Sequence, residues 1–257
     1  PERDAAPRRV EVRQAEPGVS PSVRWGILME GDHEVDNVRL TAALAAAARA
    51  RGATFLTHTL VTQIFVEGDR VTGVEAGGRK IPAGQVVDAA GAWARLIPGV
   101  PQTLVPVEPV RGQIVALESE PPSHVIFTPR GYLVPRRSPG GSGRVLVGST
   151  MESVGFHKVV TADAVASLLA AAREAVPSLA AARFVEAWAG FRPATPDHLP
   201  VIGPLGPEGL IAATGHFRSG ILLAPITADL VSDYIQSGRL PAALEPFSPA
   251  RFQPAIH

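Results

Sequence analysis

The stretch that decides the fold reads Gly215-His216-Phe217-Arg218-Ser219-Gly220-Ile221-Leu222-Leu223-Ala224-Pro225. A glycine turn presents a histidine and an arginine, and an apolar helical pattern then covers residues 221–236 and stops at Gly238. Because Ser219 is a good N-cap residue, we expect the helix to start there and kink at Pro225, rather than to start near Pro225. Such a helix aims the positive end of its dipole at whatever lies beside Gly220.

Two further segments accompany this turn. Residues 86–93 read Val-Val-Asp-Ala-Ala-Gly-Ala-Trp, an apolar strand that ends in small residues before a predicted helix. Small side chains let the backbone approach a ligand closely, and a helix N-terminus favours an anion. Residues 188–193 read Trp-Ala-Gly-Phe-Arg-Pro and place Arg192 at the end of an apolar strand, where its planar fork matches a carboxylate. From the residues alone, a tight turn and an internal ion pair remain open.

The remaining pattern indicates a mixed α/β chain. Residues 1–22 lack periodicity and are predicted to form an arm or a cut edge, and Asp36 is a plausible cap for a helix over 37–51. Alternation from Leu104 onward predicts an antiparallel sheet with a loop at 138–143 and a helix at 163–175. The predicted strands are residues 54–58, 61–66, 71–76, 85–89, 112–117, 132–136, 144–149, 183–191 and 210–214, with turns at 67–70 and 77–78. The fold class is therefore α/β (α+β), with a unit in two separated pieces and an antiparallel sheet inserted between them.

Composition excludes several classes of function. Hydrophobic residues make up 46% of 257 positions, which is a globular composition, and 24 basic residues balance 24 acidic ones, which argues against a nucleic-acid partner. We find no apolar run long enough to span a membrane and no secretory signal. Without cysteine there are no disulfides or thiolate sites, and a cytoplasmic location follows. The seven histidines show no paired metal motif, so we expect no metal site.

Residues 86–93, 188–193 and 215–225 occur in the same order in the flavin-dependent amine oxidases of the D-amino acid oxidase-like family, which this chain resembles. Within that family it resembles the glycine oxidases of the thiamine thiazole pathway. The resemblance runs from about Gly31 to about Gln236. It implies that residues 1–103 and 192–257 form a discontinuous, partial Rossmann-like FAD-binding domain, and that residues 104–191 form the antiparallel-sheet substrate-binding domain. The residues that would contact FAD are Val61, Ala90, Gly91, Trp93, Gly190, His216, Arg218, Ser219, Gly220, Ile221 and Leu222.

The same resemblance implies a substrate site. Arg192, Tyr132 and Arg218 would orient a small amino acid by its carboxylate, and Met151 would form an apolar wall. Arg130 stands where a histidine is usual, and Ser219 replaces the commoner asparagine. Without the family, Tyr132 and Met151 are more often packing residues. Asp197 and His198 are neighbours in a Pro-rich loop, which favours a turn over an acid–base pair.

The reaction implied by the resemblance is the oxidative deamination of glycine or a small amino acid. A hydride leaves the α-carbon for the flavin, the imine hydrolyses or passes to thiazole synthesis, and oxygen is reduced to peroxide. Other substrates, as in a D-amino acid or sarcosine oxidase, stay open. The family often forms homo-oligomers.

No G-x-G-x-x-G fingerprint occurs in these residues. In the complete family that segment holds the FAD pyrophosphate. We therefore expect this chain to be a fragment, a proteolysed product or one subunit completed by another chain. An alternative function follows from this, namely a non-catalytic subunit of a heteromeric amine dehydrogenase.

Overall fold

The computed structural model describes residues 8–137 and 143–253. The loop predicted at 138–143 lies outside these ranges except for Gly143. The α-helices are α1 (Val12–Ala15), α2 (Asn37–Ala50), α3 (Ala162–Ala175) and α4 (Gly220–Ser237), and short 3-10 helices cover Gly91–Leu96, Pro177–Ala181, Ala242–Phe247 and Pro249–Phe252. The strands are β1 (Arg8–Glu11), β2 (Trp25–Leu28), β3 (Val61–Glu67), β4 (Arg70–Ala76), β5 (Arg79–Pro82), β6 (Val86–Asp88), β7 (Glu108–Glu118), β8 (Ile126–Thr128), β9 (Gly131–Arg136), β10 (Arg144–Gly148), β11 (Arg183–Ala194), β12 (Val201–Pro204) and β13 (Leu210–Thr214).

The chain divides into two units. The first comprises Pro1–Ala48, Arg111–Glu152 and His157–Gly190, and the second Arg49–Val110, Ser153–Phe156 and Phe191–His257. This division differs from the predicted domains chiefly in grouping the residues before Arg49 with the antiparallel sheet. The assignment of one domain to cofactor and one to substrate stays a prediction.

A five-stranded sheet in the order β11-β7-β10-β9-β8 dominates the first unit. Strand β10 pairs antiparallel with both β7 and β9, and alternate residues such as Val115, Leu133 and Val147 point to one buried face. Helix α3 covers that face with Leu168 and Ala172. The apolar alternation of the strands therefore builds this core.

The second unit contains two small sheets, β3-β4-β5 and β12-β13-β6. Strand β13 runs antiparallel to β12 but parallel to β6. Helix α4 packs through Val231 against a cluster that includes Ile202 and Ile211 from β12 and β13. The parallel pair is the part of the fold that positions the candidate site.

Several predicted elements are confirmed. Asp36 caps α2, since its Oδ1 accepts from the N–H groups of Val38 (3.1 Å) and Arg39 (3.0 Å). The mixed α/β class with several antiparallel sheets is also as predicted. Helix α4 begins at Gly220 and contains Pro225, although Ser219 occupies the N-cap position without a side-chain capping bond.

Other predictions were wrong. Residues 54–58 form no strand, and His58 adopts a left-handed φ of 56° that interrupts an extended backbone. Within the predicted arm, residues 8–11 form β1, which pairs antiparallel with β2. Strand β6 is shorter than the predicted 85–89 and lies at a sheet edge, with Val87 38% exposed rather than buried. Within the described residues, no helix has the length and apolar character needed to cross a membrane.

Candidate functional site

Two turns meet at one edge of the β12-β13-β6 sheet. Because β6 and β13 are parallel, with Leu210 opposite Val86, their carboxyl ends lie at the same edge. The Thr214 hydroxyl donates to the carbonyl of Gly91 at 3.0 Å and joins the two turns. The structure therefore brings together the two glycine-containing segments that the sequence singled out, within the second unit.

The first turn leaves room beside its backbone. Gly91 has a φ of 58°, and a Cβ placed on it would meet no described atom within 4 Å. The Ala90 N–H donates to Asp88 Oδ1 at 3.0 Å and fixes the turn. The expected helix after this turn is a 3-10 helix of 6 residues, so it cannot supply the predicted helix dipole.

The second turn is held from several sides. Gly215 has a φ of 77°, and a Cβ there would lie 2.9 Å from Thr195 Cγ2. The Phe217 N–H donates to the Pro193 carbonyl at 2.9 Å. Arg192 precedes Pro193 and Arg218 follows Phe217, so each arginine is one residue from this hydrogen bond. The two predicted carboxylate-binding residues are therefore carried by neighbouring backbone.

His216 ties the second turn to α4. Its Nε2 lies 3.0 Å from the Thr227 hydroxyl, and burial lowers the pKa of the imidazole. A histidine with a lowered pKa is neutral at neutral pH, so it bonds Thr227 without adding charge to the site. This places His216 as a support of the turn.

The N-terminus of α4 is open. The first N–H groups of an α-helix lack intrahelical partners, and here they belong to the first turn beginning at Gly220. Outside the helix backbone, the one described atom that a Cβ on Gly220 would approach within 4 Å is His216 Cβ, at 3.5 Å. Ile221 and Leu222 are 53% and 80% exposed, which is high for apolar side chains. Helix α4 therefore presents its N-terminus at the predicted position, and the binding of an anion there stays a prediction.

Trp93 belongs to an aromatic cluster beside Arg192. Its ring centroid lies 5.6 Å from that of Phe156 and 5.8 Å from that of Phe191, which directly precedes Arg192. Val61 opens β3 in the other small sheet, where it pairs with Ala76. These residues all belong to the second unit.

Tyr132, Met151 and Gly190 belong to the first unit. Tyr132 lies on β9 opposite Gly148, and a Cβ on Gly148 would sit 2.5 Å from the Tyr132 ring carbon Cζ. Met151 follows β10 and is 60% exposed. Arg130 pairs with Glu174 at 2.5 Å on the surface.

We expect Gly148→Ala to displace the Tyr132 ring, because the added methyl group would overlap it. The substitution should lower the free energy of unfolding by about 1–3 kcal/mol, as other substitutions that overpack a core do. The chain has two tyrosines, so tyrosine-labelled NMR resolves the effect: the Tyr132 signals should move and the Tyr234 signals should not. Gly84→Ala is the control, since its Cβ would meet nothing within 4 Å. Unmoved Tyr132 signals would contradict the packing described.

Sequence reasoning missed a buried polar network in the first unit. Arg111 is 4% exposed and pairs with Glu152, and its Nη1 donates to the His157 carbonyl at 2.9 Å. Glu152 Oε1 accepts from Gln113 Nε2 at 2.8 Å and from the Thr150 hydroxyl at 2.5 Å. Arg111 and Gln113 lie 41 and 39 residues from Glu152 in the chain, so no local pattern links them to it. Because Thr150 and Glu152 flank Met151, the network fixes the backbone that carries it.

Asp88 is a second group that the sequence did not flag. It is 3% exposed, and its Oδ2 has no hydrogen-bond partner among the described residues. Burial raises the pKa of this carboxyl, partly opposed by the hydrogen bond from the Ala90 N–H. The ionised form is therefore disfavoured in the folded chain.

We expect Asp88→Asn to stabilise the chain at neutral pH by about 1–3 kcal/mol, because it removes a buried, incompletely paired charge. Since the folded pKa lies above the ordinary 3.8, the wild-type loses stability as pH rises from that value through the folded pKa. The advantage of the variant should grow over this window and vanish at lower pH. Urea unfolding at several pH values measures it, with Asp229→Asn on exposed α4 as control; a pH-independent difference would contradict this account.

Within the described residues, no group of three or more His, Cys, Asp or Glu side chains could hold a metal ion.

The family model described as FAD dependent oxidoreductase (DAO) matches residues 3–234. The chain belongs to this family of FAD-dependent oxidoreductases. The recognition made from the sequence is thus confirmed at the level of the family.

Members of this FAD-dependent oxidoreductase family include several similar curated proteins. Hydrogen cyanide synthase subunit HcnC of Pseudomonas aeruginosa is 37% identical over 251 residues, covering 96% of this chain and 59% of HcnC. Glycine oxidase of Pseudomonas putida is 38% identical, covering 91% of this chain and 64% of that protein. Bifunctional protein ThiO/ThiG of Synechocystis is 38% identical, and the match covers 94% of this chain and 36% of that protein. The chain thus spans less than two thirds of the length of these relatives.

A solved structure of another family member has the same fold. Glycine oxidase from Geobacillus kaustophilus superposes with a TM-score of 0.86 at 32% sequence identity, covering 96% of this chain and 67% of that one. The antiparallel sheets and the β6–β13 parallel pair therefore belong to a fold found in a glycine oxidase.

Proposed function

We propose that this chain takes part in the FAD-dependent oxidative deamination of glycine or another small amino acid. The observation that carries the proposal is the Phe217–Pro193 hydrogen bond, which joins the backbone next to Arg192 to the turn that carries Arg218 and leads into α4. Two arginines beside a helix N-terminus favour an anionic ligand. The 38% identity to a protein named glycine oxidase supports the choice of substrate.

The residues of the second unit fit FAD. The room beside Gly91 and the exposed start of α4 leave backbone free on both turns at the sheet edge. Ala90, Gly91 and Trp93 would lie along the first turn, and His216, Arg218, Ser219, Gly220, Ile221 and Leu222 along the second, with Val61 as a further proposed contact. Gly190 belongs to the first unit, and its contact with FAD is proposed from the family resemblance alone. When bound, FAD supplies the acceptor for the hydride that leaves the α-carbon.

The arginines bind and orient the substrate in this proposal. Arg192 takes the carboxylate in two parallel charge-assisted bonds, and Arg218 adds a second positive charge. Tyr132 and Met151, on the first unit, are proposed as substrate contacts from the family resemblance alone, the tyrosine hydroxyl for the carboxylate and the methionine for an apolar wall. The first N–H groups of α4 stabilise negative charge beside Gly220. Fixing the carboxylate orients the α-carbon, which is the main contribution these residues can make.

Partners and setting are part of the proposal. The relative HcnC is named as a subunit of hydrogen cyanide synthase, which supports an assembly with another chain. A homo-oligomer is proposed from the family resemblance alone. The similarity to the bifunctional protein ThiO/ThiG supports a role in thiamine thiazole synthesis. Oxygen as the electron acceptor is proposed from the family resemblance alone. The lack of cysteine supports a cytoplasmic setting. A D-amino acid or sarcosine oxidase remains the second candidate substrate class, because Arg130 replaces the usual histidine.

The test of cofactor binding is a visible spectrum of the purified protein after incubation with FAD and desalting. We expect a retained flavin band, followed by peroxide formation with glycine. A colourless protein would contradict the proposal that these residues hold FAD. A retained band without peroxide would favour the non-catalytic subunit.

A further inference from the structure

Arg251 lies outside the residues that the family model matches, yet its guanidinium uses all five N–H donors. Nε and Nη2 donate to the Asp197 carboxylate at 2.8 and 3.3 Å, and Nη2 also donates to the Leu199 carbonyl at 3.0 Å. Nη1 donates to the carbonyls of Phe247 (2.8 Å) and Ser248 (3.1 Å). One side chain thus joins the C-terminal segment to the loop at 195–200.

That loop is fixed on both sides of His198. The Leu199 N–H donates to Asp197 Oδ1 at 3.1 Å, and the Thr195 hydroxyl donates to the Leu199 carbonyl at 2.7 Å. The hydrogen bond from Arg251 lowers the pKa of Asp197 to about 2, so the carboxylate stays ionised in any ordinary buffer. His198 itself has a left-handed φ of 59°, which is uncommon for a residue other than glycine.

His198 in turn supports the candidate site. Its ring lies 4.8 Å, centroid to centroid, from the ring of Phe217, at an interplanar angle of 30°. Phe217 also has a left-handed φ, of 47°, so its conformation needs support from its surroundings. The ring contact with His198 and the hydrogen bond to the Pro193 carbonyl supply that support. Arg218 follows directly.

We propose that Arg251 is a positioning residue for the turn at 215–220: through Asp197 and His198 it holds Phe217 in its left-handed conformation and so sets the direction of Arg218. This inference rests on the proposed function, in which Arg218 binds the substrate carboxylate. Asp197 and His198, which were predicted to form a turn, would therefore also support the candidate site.

The experiment uses the FAD-loaded protein with the variants Arg251→Gln and His198→Asn. Asparagine tolerates the left-handed conformation, so His198→Asn removes the ring while keeping the loop. Arg70→Gln is the matched control, because Arg70 forms an exposed ion pair with Glu208 in the same unit, at 2.6 Å. Two quantities are measured: the NMR shifts of the His198 and Phe217 ring protons, and the Kd for acetate, a small carboxylate.

In Arg251→Gln, the ring signals should move toward unstructured values and the acetate Kd should rise roughly tenfold, as expected for a misplaced binding group. His198→Asn should raise the acetate Kd similarly with little loss of stability, and Arg70→Gln should change neither quantity. If Arg251→Gln lowers stability but leaves ring signals and acetate Kd unchanged, the proposal is overturned and Arg251 only fastens the C-terminal segment. Should Arg251→Gln fail to fold, His198→Asn with an unchanged acetate Kd overturns it equally.

Arg218→Ala separates this inference from the proposed function. If Arg218→Ala weakens acetate binding while His198→Asn and Arg251→Gln do not, the positioning role is wrong and the function stands. If Arg218→Ala leaves acetate binding unchanged, Arg218 is not a carboxylate ligand, and the proposed substrate site itself is contradicted.

Discussion

Replacing Arg192 with alanine is expected to weaken binding of the substrate carboxylate by about 2–5 kcal/mol while FAD stays bound. The loss corresponds to roughly 30-fold or more in Kd. The reason is that a guanidinium makes two parallel charge-assisted bonds to a carboxylate, and alanine leaves that charge without a partner. The backbone beside Arg192 should stay in place, because Pro193 still accepts from the Phe217 N–H.

Steady-state kinetics with glycine and a flavin spectrum of the same sample measure this effect. Arg192→Lys is the informative companion, because it keeps the charge but loses the planar fork, and should recover only part of the affinity. Arg95→Ala is a control from the same unit, since Arg95 pairs with Glu108 at 3.6 Å. Unchanged kinetics in Arg192→Ala would remove Arg192 from the site.

Replacing Glu152 with alanine is expected to lower the free energy of unfolding by about 3–5 kcal/mol, because it leaves the buried Arg111 guanidinium without its counter-charge. The change also removes the acceptor of Gln113 and Thr150. Glu186→Ala is the matched control, because Glu186 forms an exposed pair with Arg144 and should contribute about 0–1 kcal/mol. Chemical denaturation measures both variants.

The same ion pair predicts a pH dependence. The hydrogen bond from Arg111 lowers the pKa of Glu152 to about 2, from an ordinary 4.5. A depressed carboxyl pKa contributes stability above the unfolded value, and that stability is lost as pH falls from about 4.5 toward 2. Glu152→Ala should lose less stability than the wild-type over this window. Equal losses in the two proteins would show that the pair does not contribute.

Local patterns were sufficient for the elements that carry the site. The apolar strands of the parallel pair, the cap at Asp36 and the left-handed stop at Gly238 all follow from neighbouring residues. Short elements such as β1 and β8 were missed, since three or four residues give no measurable period. The Arg111–Glu152 and Arg251–Asp197 pairs were missed because each joins residues far apart in the chain. Their burial and partners depend on tertiary packing, which no local window contains.

The candidate site shows the same limit. The sequence located Gly91, Arg192 and Arg218, but the bonds that bring their backbone together, from Thr214 to Gly91 and from Phe217 to Pro193, follow from strand pairing. The roles of Tyr132 and Met151 on the first unit stay predictions. They depend on the family resemblance rather than on a contact within one unit.

The most direct test of the proposed function is anaerobic addition of glycine to the FAD-loaded protein, followed by its absorption spectrum. We expect the visible flavin band to bleach with glycine, to return with oxygen, and to bleach far less readily in Arg192→Ala. A flavin band that persists in glycine, sarcosine and small D-amino acids alike would contradict the assignment of this site to amino acid oxidation.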